Sequence, residues 1–527
     1  MINHHATLLA AILTITVILI QFVFIDRFPA VHVDEPWNAN RAWHFIQTSD
    51  PTTTIDVGPF PDGKGLGTLP LALLIRTVPS RFLGLGLVQM RLASVFFGGL
   101  LLFGTFLVGR LMYQPSTGLL ALIMVGLSQV FLQTSHRGRP DIIAAAFIVV
   151  AFACMWKGWR SDKWVWHLVA GAVVGLSGEV HLNGILLGVA IALCYPVFWG
   201  WGFWRRRGFW AFIIGAVSGA IVVFLIGLAV GARPEETGFA TLLAGLRYLL
   251  PGIEAGTSLP IHGLAGTHRP PIMELSPTLL IQSFLAELHY RYAFRHHPLT
   301  MMLVGVSLLF LLARRDRPDR VLLVFLGVSF ALFVLLVSNK ASYYAILFYP
   351  FMLLAVAALF VALLTQSNRP GLRSLVAGVI ILFLVFLAAR QSWTLFRSRN
   401  YDYIAITEEI REVLGDDAKV MAMPTWWLGL SNYDFRSTFT LSDYHFMQGY
   451  TLTDGIEASE PDYIIVDEIL RDRLLDDDGF VSTGLGSGFF KLPRKEFHSF
   501  LAQRGEKQLE IEDPWHGLIE VYQIKWD

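Results

Sequence analysis

Eleven stretches of this 527-residue chain are apolar over roughly the 17–25 residues that a bilayer's hydrocarbon core demands. They cover 6–25, 82–109, 116–133, 141–157, 165–180, 182–200, 209–230, 299–313, 320–338, 342–364 and 372–389, the fifth and eighth being the shortest. In lipid a backbone N–H or C=O must find its partner within its own segment, so a lone apolar run of this length becomes a helix. Several runs lie only a few residues apart, which calls for tight helical hairpins. Composition agrees: 54% of residues are hydrophobic and 16% charged, against about 25% charged in soluble domains. The expected fold is an all-α polytopic membrane bundle of about eleven helices. The first run has no Lys or Arg before it and no small-residue cleavage site after it, so it reads as a retained helix.

The charges between the runs give a direction. With the N-terminus inside, alternate short loops carry Arg110; Lys157, Arg160 and Lys163; Arg205, Arg206 and Arg207; Arg314, Arg315, Arg317 and Arg320; and Arg369 and Arg373. The opposite loops hold little beyond Arg137, Arg139 and Lys340. Lys and Arg collect on the cytoplasmic side of a membrane. The expectation is a multi-pass protein of the plasma (inner) membrane, its N-terminus cytoplasmic and everything after residue 390 extracytoplasmic. Two longer segments fall on the outer side: 26–81, with a Gly/Pro-rich piece from Val57 to Gly67, and 231–298, with a candidate amphipathic helix from Thr278 to Arg295.

Residues 1–390 thus form a membrane domain, and 391–527 change character. Tyr403 to Leu414 reads as a helix, Lys419 to Met423 as a strand, Asp462 to Asp467 as a buried strand, Glu496 to Arg504 as a helix and Ile519 to Ile524 as a last strand. Helices alternating with strands predict a small soluble α/β domain. A net charge of zero excludes the basic footprint of a nucleic-acid binder. Cys154 and Cys194 both sit in apolar runs and suggest neither a disulfide framework nor a thiolate metal site.

Polar residues that interrupt the apolar runs gather on the outer face. The first outer segment contributes Asp34 and Glu35, the second Ser135-His-Arg-Gly-Arg-Pro-Asp141, the third Ser177-Gly-Glu-Val-His-Leu-Asn183, and a later one Ser338-Asn-Lys-Ala-Ser-Tyr-Tyr344. Carboxylates are costly near hydrocarbon and mark function when they persist there. Plain structural readings stand beside this one. Asp34 and Glu35 before Pro36, and Asp141 after Pro140, also suit helix starts. Arg137 and Arg139 also read as solvated loop charges, and Tyr343 and Tyr344 as interfacial-belt aromatics. Glu179 and His181 read either as hydrogen-bonding groups or, with Asp34 or Asp141, as ligands of a divalent metal.

In this order and on this topology, the Asp34-Glu35 pair, the Arg-x-Asp element ending at Asp141 and the Lys340-x-x-Tyr343-Tyr344 element resemble GT-C-type membrane glycosyltransferases. The nearest likeness is to protein O-mannosyltransferases and lipid A aminoarabinose transferases. The resemblance spans the membrane part, and the C-terminal domain is similar to soluble domains appended to bacterial members. It implies inverting transfer of a sugar from a polyprenyl-phosphate-linked donor to an acceptor hydroxyl outside the cytoplasm. Asp34 would be the general base, since an unassisted hydroxyl is a poor nucleophile. Glu35 and Asp141 would position the acceptor or an optional metal. Arg137, Arg139 and Lys340 would hold the donor phosphate, through forked or point-charge contacts. Tyr343, Tyr344, His181 and Glu179 would contact substrate.

The partners implied are the sugar lipid, an acceptor that is a protein, glycan or lipid, and membrane lipids. No cofactor is required, and a divalent metal is compatible with the residues. A transporter or flippase for a lipid-linked or anionic solute is the rival reading. Transporters set their charges near the membrane midplane and carry internal repeats, whereas these charges lie at helix ends.

Overall fold

A computed structural model describes residues 2–55, 69–231, 277–291, 297–337, 342–366, 368–441, 450–475, 480–482, 488–490 and 492–526. Along the first third run α1 (Ile2–Val23), α2 (Asp34–Thr48), α3 (Pro70–Leu83), α4 (Leu87–Met112), α5 (Pro115–Gly126), α6 (Gln129–Ser135), α7 (Asp141–Ser161) and α8 (Trp164–Gly178). Apolar spans then follow at Asn183–Arg205, Arg207–Ala229, Arg317–Leu336, Tyr349–Gln366 and Pro370–Arg397, with a shorter apolar helix at Pro298–Arg314. Among the described residues eight helices are long and apolar enough to cross a membrane. The α5–α6 pair makes a bent ninth, and α8 and Pro298–Arg314 are shorter. Each of the eleven apolar runs therefore holds a helix.

Three runs differ in detail from expectation. The third bends by 66° between α5 and α6. There Ser128 ends one helix by donating to the Val125 carbonyl at 2.7 Å and caps the next by accepting from the Phe131 N–H at 3.2 Å. The second run starts late, because Gly84 at φ +82° terminates α3 before α4 begins. The tenth opens with a 3₁₀ turn, Ser342–Leu347, before its helix. Segment 26–81, for which only a helix start at Asp34-Glu35-Pro36 was expected, contains α2 and most of α3. The Val57–Gly67 piece lies outside the described residues. The candidate amphipathic helix is helical over Pro277–Arg291, its last residues lying outside.

α1, Arg207–Ala229 and Pro370–Arg397 keep large apolar side chains exposed, among them Leu19, Ile214 and Leu382. Faces of that kind are matched by hydrocarbon and not by water. The chain is a multi-pass membrane protein. α8 meets Arg207–Ala229 through Gly171 and Gly175 on one helix and Gly215 and Gly219 on the other. A Cβ at any of the four would collide with backbone of the facing helix, the close approach that small-xxx-small spacing permits.

The last membrane helix runs to Arg397, and a five-stranded sheet follows in the C-terminal part. Its strand order is Asp434–Ser437, Lys419–Ala422, Tyr463–Val466, Gly517–Ile524, Gly505–Asp513; the first three are parallel and the last two antiparallel. All four residues of Tyr463–Val466 are buried, as a central strand requires. The two strands not foreseen are the edges. Gly505–Asp513 alternates charge with exposed positions, which protects an open edge and hides the strand's apolar signal. This domain sits on the Asp34 end of the bundle. Val31, Ala39, Leu87 and Met90 share one buried cluster with Tyr401, Trp426 and Trp427, and the Ser437 N–H donates to the Ile55 carbonyl at 2.9 Å.

Candidate active site

α2 begins at Asp34, so both carboxylates occupy its first turn, where the helix dipole favours negative charge. Neither role is mere capping, and the two side chains part company at once. The Glu35 side chain has no exposed surface. Its Oε2 accepts from Arg91 Nε at 2.8 Å and from the Gly138 N–H at 3.1 Å; its Oε1 accepts from Arg91 Nη2 at 3.1 Å and from the His32 N–H at 3.1 Å. Arg91 spends its remaining N–H groups on the carbonyls of Ile25, Phe28 and Pro29 at 2.8–3.3 Å. Glu35 therefore ties three elements together: the α1–α2 turn, α4 and the loop before α7.

Asp34 points the other way. Its carboxylate is 36% exposed, against 0% for Glu35 and 1% for Asp141. Of these three carboxyl groups it alone can meet a substrate. Its Oδ2 pairs with Arg139 Nη1, while Arg139 Nε holds Asp141 Oδ2 at 2.8 Å. One guanidinium thus bridges two carboxylates. Among the described residues no group of three or more His, Cys, Asp or Glu is arranged to hold a metal ion.

The histidines and tyrosines close the ring. His181 Nδ1 accepts from the Asn183 N–H at 3.1 Å, so its proton sits on Nε2, which faces Asp141 Oδ1 at 3.4 Å. Tyr344 packs edge-on against His181 at 5.2 Å, and Tyr343 lies 3.7 Å beneath the Arg139 guanidinium and 5.9 Å from the His32 ring. Burial, together with Arg137, Arg139 and Arg473, holds His32 well below its ordinary value, so it is neutral near pH 7. Its Nδ1 accordingly accepts the Asp34 N–H at 3.2 Å. Arg473 reaches this field from the C-terminal domain. Glu179, at the end of α8, is 2% exposed. Lys340 lies outside the described residues.

Hydrogen bonding among these charges is incomplete. Arg137 Nε and Arg76 Nη2 are buried and make no hydrogen bond among the described residues, although both guanidinium groups feel the charge of Asp141. Burial pushes Arg76 down to about 10 and lowers Arg137 too, yet both stay charged at neutral pH. Arg76 and Arg91 escaped the sequence reading. Their signal was present: a lone arginine in α4's apolar run, and another in the otherwise apolar first turns of α3.

Residues 70–227 match the family described as dolichyl-phosphate-mannose-protein mannosyltransferase. Over 97% of both chains the structure is similar to ArnT from Cupriavidus metallidurans, at 15% identity with a TM-score of 0.58 in the apo state and 14% with 0.54 when bound to undecaprenyl phosphate. The apo oligosaccharyltransferase of Archaeoglobus fulgidus is similar over 98% of this chain and 75% of its own, at 12% identity and a TM-score of 0.55. The chain has the GT-C glycosyltransferase fold. No curated protein matches it in sequence. At these identities the likeness is one of architecture, and it covers the GT-C membrane domain and the C-terminal domain together. The resemblance first drawn from short motifs therefore holds for the GT-C group.

Proposed function

We propose that this GT-C protein moves a sugar from a polyprenyl-phosphate-linked donor to an acceptor hydroxyl, inverting the anomeric carbon. One observation carries the reading: a part-exposed carboxylate, Asp34, pairs with Arg139, while Arg76 Nη2 and Arg137 Nε, both in the field of Asp141, make no hydrogen bond among the described residues. Unpaired buried cations are costly and call for an anion. A lipid phosphate supplies one, and the ArnT structure that binds undecaprenyl phosphate supports that choice.

In this reading Asp34 Oδ2 stays on Arg139 and Oδ1 takes the acceptor hydroxyl's proton. The acceptor oxygen bonds to the anomeric carbon as that carbon's bond to the phosphate oxygen breaks. The bonding electrons leave on the polyprenyl phosphate, whose growing charge meets Arg76 and Arg137, with Lys340 as a further candidate. Preorganised charge of this kind is often the largest catalytic contribution. A phosphate already leaves well, so no second carboxyl need protonate it, unlike the paired carboxyls of glycosidases. Glu35 and Asp141 act through Arg91 and Arg139 as positioning residues. Tyr343, Tyr344, His181 and Glu179 form the wall against which substrate would sit. Arg110 and Arg160 lie at the far ends of α4 and α7 from Arg91 and Asp141, which supports an outer site and an extracytoplasmic C-terminal domain.

The test is a paired assay in lipid nanodiscs. Wild type and Asp34→Asn are compared for cleavage of a panel of polyprenyl-phosphate sugars, with donor binding followed separately. The expected result is one donor consumed by wild type and bound but not consumed by Asp34→Asn. A wild type that binds these lipids and carries them across a vesicle membrane without releasing sugar would establish the transporter reading instead.

A further inference from the structure

A second cavity lies where α2 meets the C-terminal domain, away from the Asp34–Arg139 cluster. Its volume is about 610 Å³, inside the roughly 300–1,000 Å³ range of small-ligand sites. Asn40, Trp43, His44 and Gln47 line it from α2, at the i, i+3, i+4, i+7 spacing that places them on one helical face. Trp427, Asn432 and Tyr433 line it from the C-terminal domain.

The lining is mixed: Ile55, Leu85 and Leu428 stand beside aromatic, carboxamide and hydroxyl side chains, and its two charged residues are already engaged. Arg411 donates to the Gly429 carbonyl, and Asp434 pairs with Arg436 at 3.3 Å. Asn40 is used internally, donating to Thr54 Oγ1 at 2.7 Å and accepting from Thr53 Oγ1 and the Thr54 N–H at 2.8 Å. The side chains of Gln47, Ser431 and Asn432 make no hydrogen bond among the described residues, and they share the cavity with the rings of Trp43, Trp427 and Tyr433.

Aromatic faces interleaved with unengaged carboxamides are the chemistry that grips a sugar ring. The C–H face of a pyranose covers an indole, while its hydroxyls, each a donor and an acceptor, match both ends of a carboxamide. A phosphate would want the unpaired guanidinium groups found around Asp34, and an acyl chain would want a wall without Gln47 and Asn432. We propose that this cavity is a saccharide-binding subsite, holding a distal sugar of the acceptor while its reacting hydroxyl lies at Asp34. Saccharide binding follows from the cavity alone; the word acceptor rests on the transferase reading above. The nine helical steps of α2 from Asp34 to Trp43 span about 13 Å, so the matching acceptor is an oligosaccharide or a glycan-bearing lipid, not a monosaccharide.

The test places full-length protein in phospholipid nanodiscs, free of sugar detergents, on an array of bacterial and synthetic oligosaccharides and on a matched peptide array. Wild type should retain a defined set of glycans, and titration with one of them should change its indole fluorescence. Affinity should fall at least tenfold in Trp43→Ala with Asn432→Ala. Gln47 is exposed, so Gln47→Ala gives an independent weakening in a variant whose folding is not at stake. No glycan retained above the level of the double variant, or peptides retained instead, overturns the proposal. Glycan binding through Trp43 and Asn432 without turnover of any polyprenyl-linked donor leaves the cavity assigned and sinks the transferase reading. Donor turnover without glycan binding does the reverse.

Discussion

Two buried charge clusters lie at opposite ends of α4, about 33 Å apart by helical rise. At one end Arg314 grips Asp319 through bonds of 2.6 and 2.7 Å, and the Tyr113 hydroxyl donates to the same carboxylate at 2.9 Å. Both Asp319 oxygens are satisfied and the carboxylate has no exposed surface. At the other end Arg91 and Glu35 repeat that closed pattern, but their neighbours do not. Asp34 keeps an open oxygen, and Arg76 and Arg137 keep N–H groups unbonded. Burial of charge is therefore a poor marker of function in this fold. Incomplete pairing is the better one, because only a ligand can offset its cost.

The largest effect should separate the two open and closed aspartates. Asp34→Asn is expected to lower turnover by about 10³-fold, within the 10²–10⁴ that a general base contributes. Its thermal transition should barely move, since a third of the carboxylate is in solvent and such pairs are worth about 0–1 kcal/mol. Asp319→Asn should do the opposite: normal turnover per folded molecule and a lowered transition. Lipid-phosphate release normalised to folded protein, with a melting curve for each, reads both. An Asp319→Asn protein as stable as wild type breaks the contrast.

Glu35→Gln is the next test, because Glu35 is adjacent to Asp34 in sequence yet belongs with Asp319 in environment. Removing its charge strands Arg91, at a cost of about 3 kcal/mol or more. Adding Arg91→Met should recover only part of that, since the carbonyls of Ile25, Phe28 and Pro29 then lose their donor. Melting temperatures of the single and double variants decide it. Full recovery in the double variant would mean that the pair, and not the whole network, holds the α1–α2 turn.

Arg76→Met and Arg137→Met probe the open cluster from the cationic side. Replacing a charge that has unbonded N–H groups in the interior by an apolar chain of similar length should raise stability slightly. The same change should weaken binding of polyprenyl phosphate by about 10–100-fold, the worth of one charge-assisted hydrogen bond. Donor titrations beside melting curves test the opposed signs. Variants that lose stability and keep affinity would make these arginines structural.

Sequence and structure agree where physics is local and part where it is not. The helices of the eleven apolar runs were legible because each declares itself by its composition, and Tyr463–Val466 because it is apolar throughout. α2 announced only its start, at Asp34-Glu35-Pro36, and α3 nothing; Ala39 of α2 is buried with the C-terminal domain and Ala72 of α3 with the membrane helices. The convergence of Asp34, Asp141, Arg139, His181 and Tyr343 on one face followed from the alternation of the apolar runs, but who pairs with whom did not. Nothing in the pair Asp34-Glu35 says that one faces substrate and the other faces Arg91; a rotation of about 100° per residue along the helix separates them. Arg91 was readable as a lone charge in an apolar run, whereas its partner, 56 residues away, was not.

A third, weaker case lies in the C-terminal domain, where a carboxyl is closed by neutral donors only. Asp467 accepts from the Leu470 N–H at 2.8 Å and from Trp426 Nε1 at 3.0 Å, and burial pushes it up to about 6. His516, packed on Trp426 at 4.9 Å, is pushed down by burial to about 4. The signs oppose. The raised Asp467 contributes stability below its unfolded value of 3.8 that is lost as pH rises to about 6. The depressed His516 contributes stability above its unfolded value of 6.5 that is lost as pH falls to about 4. Wild type should therefore be nearly flat between pH 4 and 6. Asp467→Asn keeps the cap but removes one slope, leaving the domain's stability to fall by about 1 kcal/mol between pH 6 and 5. Melting of the full chain at stepped pH, followed by near-ultraviolet circular dichroism of the buried tryptophan, reads this directly. A flat profile in Asp467→Asn would show that His516 titrates alike in the folded and the unfolded chain, and would overturn this balance.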